Sequence, residues 1–336
     1  MDLPNSYLIT SLTLKKSTCN KTYCGLFVLF ICQLFILPAQ AAKCLYVSSY
    51  HSGYEWNDGI ERGIEQTLED KCQLDKFYMD TKRNPEVNFI RESALKAKDY
   101  IEQTKPDIVI ACDDNASKFL IKPYFRNAEL PFVFCGINWT AKEYEYPYKN
   151  ATGMIEVAPI LPLLKIINNI VEDRGRGAYL SADVLTEHKD FLRYKKIYES
   201  EGVRLEGIFV KTLDEWKKKY VEAQKYDFII LNNNSGINDW DIDKAKEFVR
   251  NNVGVLTVTN YEWMMPYTMM AMTKLPDEQG AWAAQVALAI LDGENPQDIP
   301  VVVNRRWKIF INPGLLNKSA YELPAYVLQK AVVRED

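Results

Sequence analysis

"KPDIVIACDDNASKFL", residues 105–120, decides how this chain folds. Lys105-Pro106 ends the amphipathic pattern before it, because proline has no N–H to donate and holds its predecessor out of the helical region. In the predicted strand 107–112 the residues after Asp107 form a continuous apolar run, the signature of a strand buried on both faces of a parallel sheet. Asp113, Asp114 and Asn115 break that run with residue types that favour turns and helix caps. The stretch reads as helix, strand and polar turn, and the next helix follows.

The same unit recurs on both sides. Strands are predicted at 44–49, 73–79, 107–112, 131–135 and 152–156, then in a second series at 177–182, 203–210, 227–232 and 254–259. Between them lie helical patterns such as 86–103, where Phe89, Ile90, Ala94, Leu95, Ala97 and Ile101 share one stripe. Alternation of this kind implies an α/β fold with parallel sheets covered on both faces. Two successive series imply two similar lobes. "GMIEVAPI", residues 153–160, lies between the series as a first crossover and contributes Glu156. A second crossing falls near 260–276, since "EQGAWAAQVALAILDG" reads as a helix returning to the first lobe, and "RWKIFINP" supplies a late strand on the second. The expected division is therefore 42–156 plus about 275–300 for one lobe, and 157–274 plus about 301–336 for the other. Several crossings make a hinge rather than a loose linker.

Residues 1–41 differ from the rest. Lys15, Lys16 and Lys21 precede an uncharged apolar run from Gly25 to about Pro38 that ends in Ala39-Gln40-Ala41, the layout of a secretory signal peptide. The run is shorter than the roughly 20 residues a spanning helix needs. The expectation is a cleaved signal and a periplasmic chain from about Ala42, with a retained anchor as the alternative. Ile31 stands where a lipidated Cys32 would need a small residue. Export leaves Cys44, Cys72, Cys112 and Cys135 in an oxidising compartment, where they allow three full pairings. Cys44 and Cys72, near the starts of neighbouring strands, are the expected disulfide, with Cys112 and Cys135 as buried thiols.

The 336 residues carry a formal net charge of −4, with no long run of like charge. Nucleic acid is thereby disfavoured as a partner, because phosphate binding needs a concentrated basic face. No Cys-x-x-Cys occurs and the chain has two histidines, so metal binding is not expected. Dinucleotide, Walker, Gly-x-Ser-x-Gly and His-Glu-x-x-His motifs are missing too, and no cofactor is expected. His51 is the one acid–base candidate, while His188 falls on a solvated helix face.

Ligands of doubly wound sheets bind beyond the carboxyl ends of the strands. That rule selects Ser49, Tyr50, His51, Tyr54 and Trp56 after the first strand, Asp80 and Asn84 after the second, and Asp113 and Asp114 after the third. Asn138 and Trp139 follow the fourth. The second series adds Ser181 and Asp183, then Asn232, Asn233 and Asn234, then Thr259, Tyr261 and Trp263. Turn and cap chemistry explains many of the small polar residues equally well. The rings are different, since Trp and Tyr are not caps and are costly to expose. Facing one cleft, they would suit a small organic molecule with an aromatic or cationic part. Arg83 and Lys82 keep an anionic ligand open.

"SSYHSGYEWNDGI", "FYMDTKRNP", "ACDDNASKFL", "PFVFCGINW", "GMIEV", "LNNNSGINDW" and "DEQGAWAAQVALAILDGENPQDIP" together resemble the substrate-binding proteins of ABC transporters, the family that includes tryptophan-binding members. The resemblance runs from about Lys43 to Ile311. It implies the type I periplasmic-binding fold: two Rossmann-like lobes, three crossovers and a ligand in the cleft between them. It also implies a non-enzymatic, monomeric solute-binding protein. Such a protein captures its ligand, here an aromatic amino acid or related amine, by hinge closure and delivers it to an ABC permease. A ligand-sensing partner of a membrane receptor such as a sensor kinase is the alternative, and an enzyme using the cleft is a third.

Overall fold

In the computed structural model, residues 41–172, 175–237 and 239–334 are described. The expected signal segment lies outside them except for Ala41. The chain opens with β1 (Ala42–Ser48), α1 (Glu55–Leu68), β2 (Cys72–Tyr78), α2 (Val87–Thr104) and β3 (Ile108–Cys112). β4 (Phe132–Asn138) and β5 (Ala151–Glu156) follow, and then α3 (Ile160–Ile170). The second series runs β6 (Arg176–Ala182), α4 (Leu185–Ser200), β7 (Arg204–Val210), α5 (Leu213–Ala223), β8 (Phe228–Leu231), α6 (Ile242–Asn252), β9 (Leu256–Thr259) and β10 (Met270–Lys274). α7 (Pro276–Leu291), β11 (Val302–Val303), β12 (Trp307–Ile311) and β13 (Ala331–Val333) complete it.

Two sheets result, in the orders β11-β5-β4-β3-β1-β2 and β13-β12-β10-β9-β8-β6-β7. All pairs are parallel except β10–β12. β3, the strand of the opening stretch, has all five residues buried, as its continuous apolar run requires. Leu95 is 44% exposed and lies off the buried stripe of α2 that holds Ile90, Ala94, Ala97 and Ile101.

The chain passes between the lobes three times: after β5 into α3, after β10 into α7, and after β11 into β12. β11 belongs to the first sheet, pairing Val302 with Met154 and Val303 with Ile155, so the last passage follows Val303. The crossing segments are tied together. Asn304 Oδ1 accepts from Val157 N at 2.8 Å, and Glu278 accepts from Arg305 N and Arg306 N, both at 2.9 Å. The buried Asn304 and Glu278 side chains thus tie the three chain crossings together.

α7 returns to the first lobe and lies against α1 along a seam of small residues. A Cβ on Gly280 would stand 1.9 Å from Ile60 O, and one on Gly63 2.3 Å from Asp277 O. Only glycine permits so close an approach. The seam fixes α1, whose first turn carries Trp56.

Cys44 and Cys72 are joined, with Cα atoms 5.9 Å apart. Cys112 and Cys135 are joined as well, which corrects the expectation of two buried thiols. The reason is register: β3 and β4 are neighbours, and Cys112 lies directly opposite Cys135 with 4.7 Å between Cα atoms.

Candidate functional site

The carboxyl ends of the two sheets bring together charges and rings from both lobes. Asp113 follows β3 directly in a left-handed conformation (φ 73°) and is 2% exposed. Its Oδ2 has no hydrogen-bond partner among the described residues. Burial pushes this carboxyl well above the usual range, and the charges of Glu156 and Asp114 push it further. Gly136, after the disulfide at Cys135, leaves the room it needs, since a Cβ there would stand 2.9 Å from Asp113 Oδ1.

Glu156 ends β5 and is also buried. Burial raises its carboxyl, while Lys274, at the end of β10 in the other sheet, opposes that by pairing with Oε1. Glu156 Oε2 is unpartnered among the described residues. The Lys274 ammonium also lies 5.0 Å from the Trp56 ring centre. Lys274→Met is expected to cost about 2 kcal/mol in a denaturant titration, because Glu156 then takes a proton rather than remain charged and unpaired.

Aromatic faces frame these acids. Tyr50 and Tyr54 meet edge to face at 5.4 Å, and Lys82 Nζ lies 5.2 Å from each ring. Burial raises the Tyr50 hydroxyl, helped by Asp113 and Asp114. From the second lobe, Tyr261 stacks on Trp263 at 4.3 Å. Burial raises its hydroxyl too, followed by the charges of Glu187, Asp190 and, across the cleft, Glu156. Trp139 (φ 63°) binds Glu156 O through its N–H at 2.9 Å, and the guanidinium of Arg193 on α4 covers its ring at 4.6 Å. Arg193 pairs with Asp190, whose carboxyl burial nevertheless raises.

Other expected residues are occupied elsewhere. Ser49 Oγ donates to Cys112 O at 2.7 Å and accepts from Ala116 N at 2.9 Å, so it ties the floor together. Asp80 binds Arg83 through two 2.7 Å bonds and accepts from Asn84, and the Arg83 contact holds its carboxyl low. His51 Nδ1 stands 3.6 Å from Asp80 Oδ1. Asp114 accepts from Asn138 at 3.1 Å and from the Tyr144 hydroxyl at 2.7 Å.

In the second lobe, Glu187 is the hub. Its carboxylate accepts from Ser181 Oγ (2.6 Å), Asn232 Nδ2 (2.7 Å) and Asn233 Nδ2 (3.0 Å). Asn234 closes the turn to Ile237, and Thr259 Oγ1 accepts from Tyr261 N at 3.1 Å. Asp183 pairs with His188 and Lys211. Trp263 is 53% exposed at the outer edge.

Sequence reading missed Lys274, Asp190, Arg193 and Glu187. Lys274 had a signal, as the polar residue closing an apolar strand. The other three sit on a helix, where no strand-end rule points to them. Two open hollows, of about 420 Å³ beside Tyr226 and Tyr321 and about 510 Å³ beside Glu65 and Leu74, contain none of the cleft residues.

The family described as ABC transporter substrate binding protein matches residues 46–334. The chain belongs to this family. No curated protein matches it. Among solved structures, the chain is similar to a ligand-free, open substrate-binding protein with adhesive properties from Clostridium difficile. That likeness has 14% identity and a TM-score of 0.67, covering 88% of this chain and 99% of the other. A conserved domain protein from Vibrio cholerae matches at 15% identity and a TM-score of 0.59, over 88% and 99%. An ABC domain in complex with L-Trp, from Streptococcus pneumonia, matches at 17% identity and a TM-score of 0.53, over 87% and 99%. These likenesses show the fold, that of type I periplasmic binding proteins. Among the described residues, no helix is long and apolar enough to cross a membrane.

Proposed function

We propose that this chain is an exported solute-binding protein. It closes on a small organic ligand bearing an ammonium group and an aromatic ring, and presents it to an ABC permease. The observation that carries the ligand class is the buried Asp113 carboxyl, unpartnered at Oδ2, set among rings. Of the cations nearby, Lys274 pairs with Glu156, Arg193 pairs with Asp190, and Lys82 lies over the Tyr50 and Tyr54 rings. A cationic ligand supplies what this group of acids lacks, and Tyr50, Tyr54, Trp56 and Tyr261 offer faces for a ring or an ammonium. The L-Trp complex of the streptococcal relative supports an aromatic amino acid or its amine. The basic and apolar pattern before Ala42 supports export.

Closure follows from the three tied crossings, about which residues 42–156 with about 275–303 move against the remainder. Ligand touching both lobes favours the closed state by its differential affinity. A thermal-shift panel of aromatic amino acids, aromatic amines, sugars and nucleosides tests this reading. An amine-bearing aromatic at 100 times its dissociation constant is expected to stabilise the protein by about 2.7 kcal/mol. A shift with sugars or nucleosides and none with amines would contradict the ligand class.

A further inference from the structure

We propose that Asp113 carries a proton until the ligand arrives and gives it up when a cationic group enters, so that capture exchanges a proton for a cation. The inference rests on the reading of this cleft as the ligand site and adds how that site is regulated. A carboxyl that is 2% exposed, with one oxygen unpartnered among the described residues, is poorly placed to hold a charge. Burial and the neighbouring acids favour the neutral form, and the charges of Lys82 and Lys274 oppose it more weakly. Tyr46 on β1 and Tyr50 after it offer no cation, while Asp114 and Glu156 repel a second negative charge. Lys274 on β10 is committed to Glu156, and Lys82 after β2 lies over the Tyr50 and Tyr54 rings. The neutral acid is what this arrangement holds. When an ammonium reaches the carboxyl, the acid O–H bond breaks, the proton leaves to solvent, and the carboxylate pairs with the ammonium.

The sign of the pH effect follows. Below the raised pKa of Asp113, binding must expel the proton, so affinity for a cation climbs about tenfold per pH unit, and it levels off above that pKa. Calorimetric titration of tryptamine into the purified exported protein, in two buffers of different ionisation enthalpy, counts the protons released. About one proton per tryptamine is expected, with the same slope in affinity. D113N should bind tryptamine more weakly, with no proton release and a flat pH profile. A second readout needs no ligand: wild type at neutral pH should show the infrared carbonyl stretch of a protonated carboxyl, and D113N should lack it. Tryptamine binding without proton release overturns the exchange while leaving capture intact. So does release abolished by E156Q but kept in D113N, which moves the proton to Glu156. If neither tryptamine nor L-tryptophan binds at any pH, the ligand reading falls and the exchange with it.

Discussion

Replacing Gly280 by alanine is expected to cost about 4 kcal/mol of stability and to lower the melting temperature by roughly 10 °C. The added Cβ would stand 1.9 Å from Ile60 O, 2.8 Å from Ile60 C and 3.0 Å from Ile64 N. All three are backbone atoms of α1, so no rotamer change relieves the clash and the helices must part. Parting them uncovers Ile60, Ile64, Ala283 and Ala284, which form one buried cluster behind the first sheet. Gly63 is the matching position on α1, where a Cβ would meet Asp277 O at 2.3 Å and Ala281 N at 2.8 Å. Gly175, with nothing within 4 Å of its Cβ position, is the control and should change stability by less than about 0.5 kcal/mol on the same substitution. Thermal denaturation of the three variants distinguishes a seam from a general intolerance of alanine. The seam bears on function as well, because α1 holds Trp56 against Lys274.

The double variant C112A/C135A should lose about 3 kcal/mol, the chain-entropy value for a bridge across 23 residues. C44A/C72A, spanning 28 residues, should lose a similar amount. The two differ in what they do to the cleft. Cys112 and Cys135 immediately precede Asp113 and Gly136, so their bond pins the floor on which the buried carboxyl sits. Cys72 opens β2 at the opposite end of the sheet. Loss of the first bridge should therefore weaken ligand binding at temperatures where the protein is still folded, and loss of the second should not. Denaturant titration paired with a binding isotherm reads both effects. Equal affinity in the two double variants would show that the floor is held without the bridge.

The strands of both series were legible because each is a continuous apolar run ended by polar residues, as in "DIVIACDDN". β10, β11 and β13 were not assigned as strands. "MAMTK" lies in what read as a crossing, and two or three valines show no period. The bridge between Cys112 and Cys135 depended on register, which a sequence does not state. At the site, the strand-end rule selected Tyr50, Tyr54, Trp56, Asp113 and Tyr261, and the first crossover supplied Glu156; contacts and charges link these to the buried acids and Lys274. It found Ser49, Asp80, Ser181 and Asn232 for the same reason, yet these four spend their hydrogen bonds within the lobes. Composition at a strand end does not say which way a side chain turns. Arg193 and Asp190 were invisible for the opposite reason. They lie three residues apart on an ordinary charged helix, and only the fold sets them beside Trp139.

A crystal structure of the protein grown with tryptamine is the most direct test of the account. It predicts the amine within roughly 3 Å of a carboxylate oxygen of Asp113 or Glu156, with the ring against Tyr50, Trp56 or Tyr261 and both sheets in contact with the ligand. Tryptamine lodged in the hollow beside Tyr226 and Tyr321, or a cleft that excludes it at saturating concentration, would contradict the account.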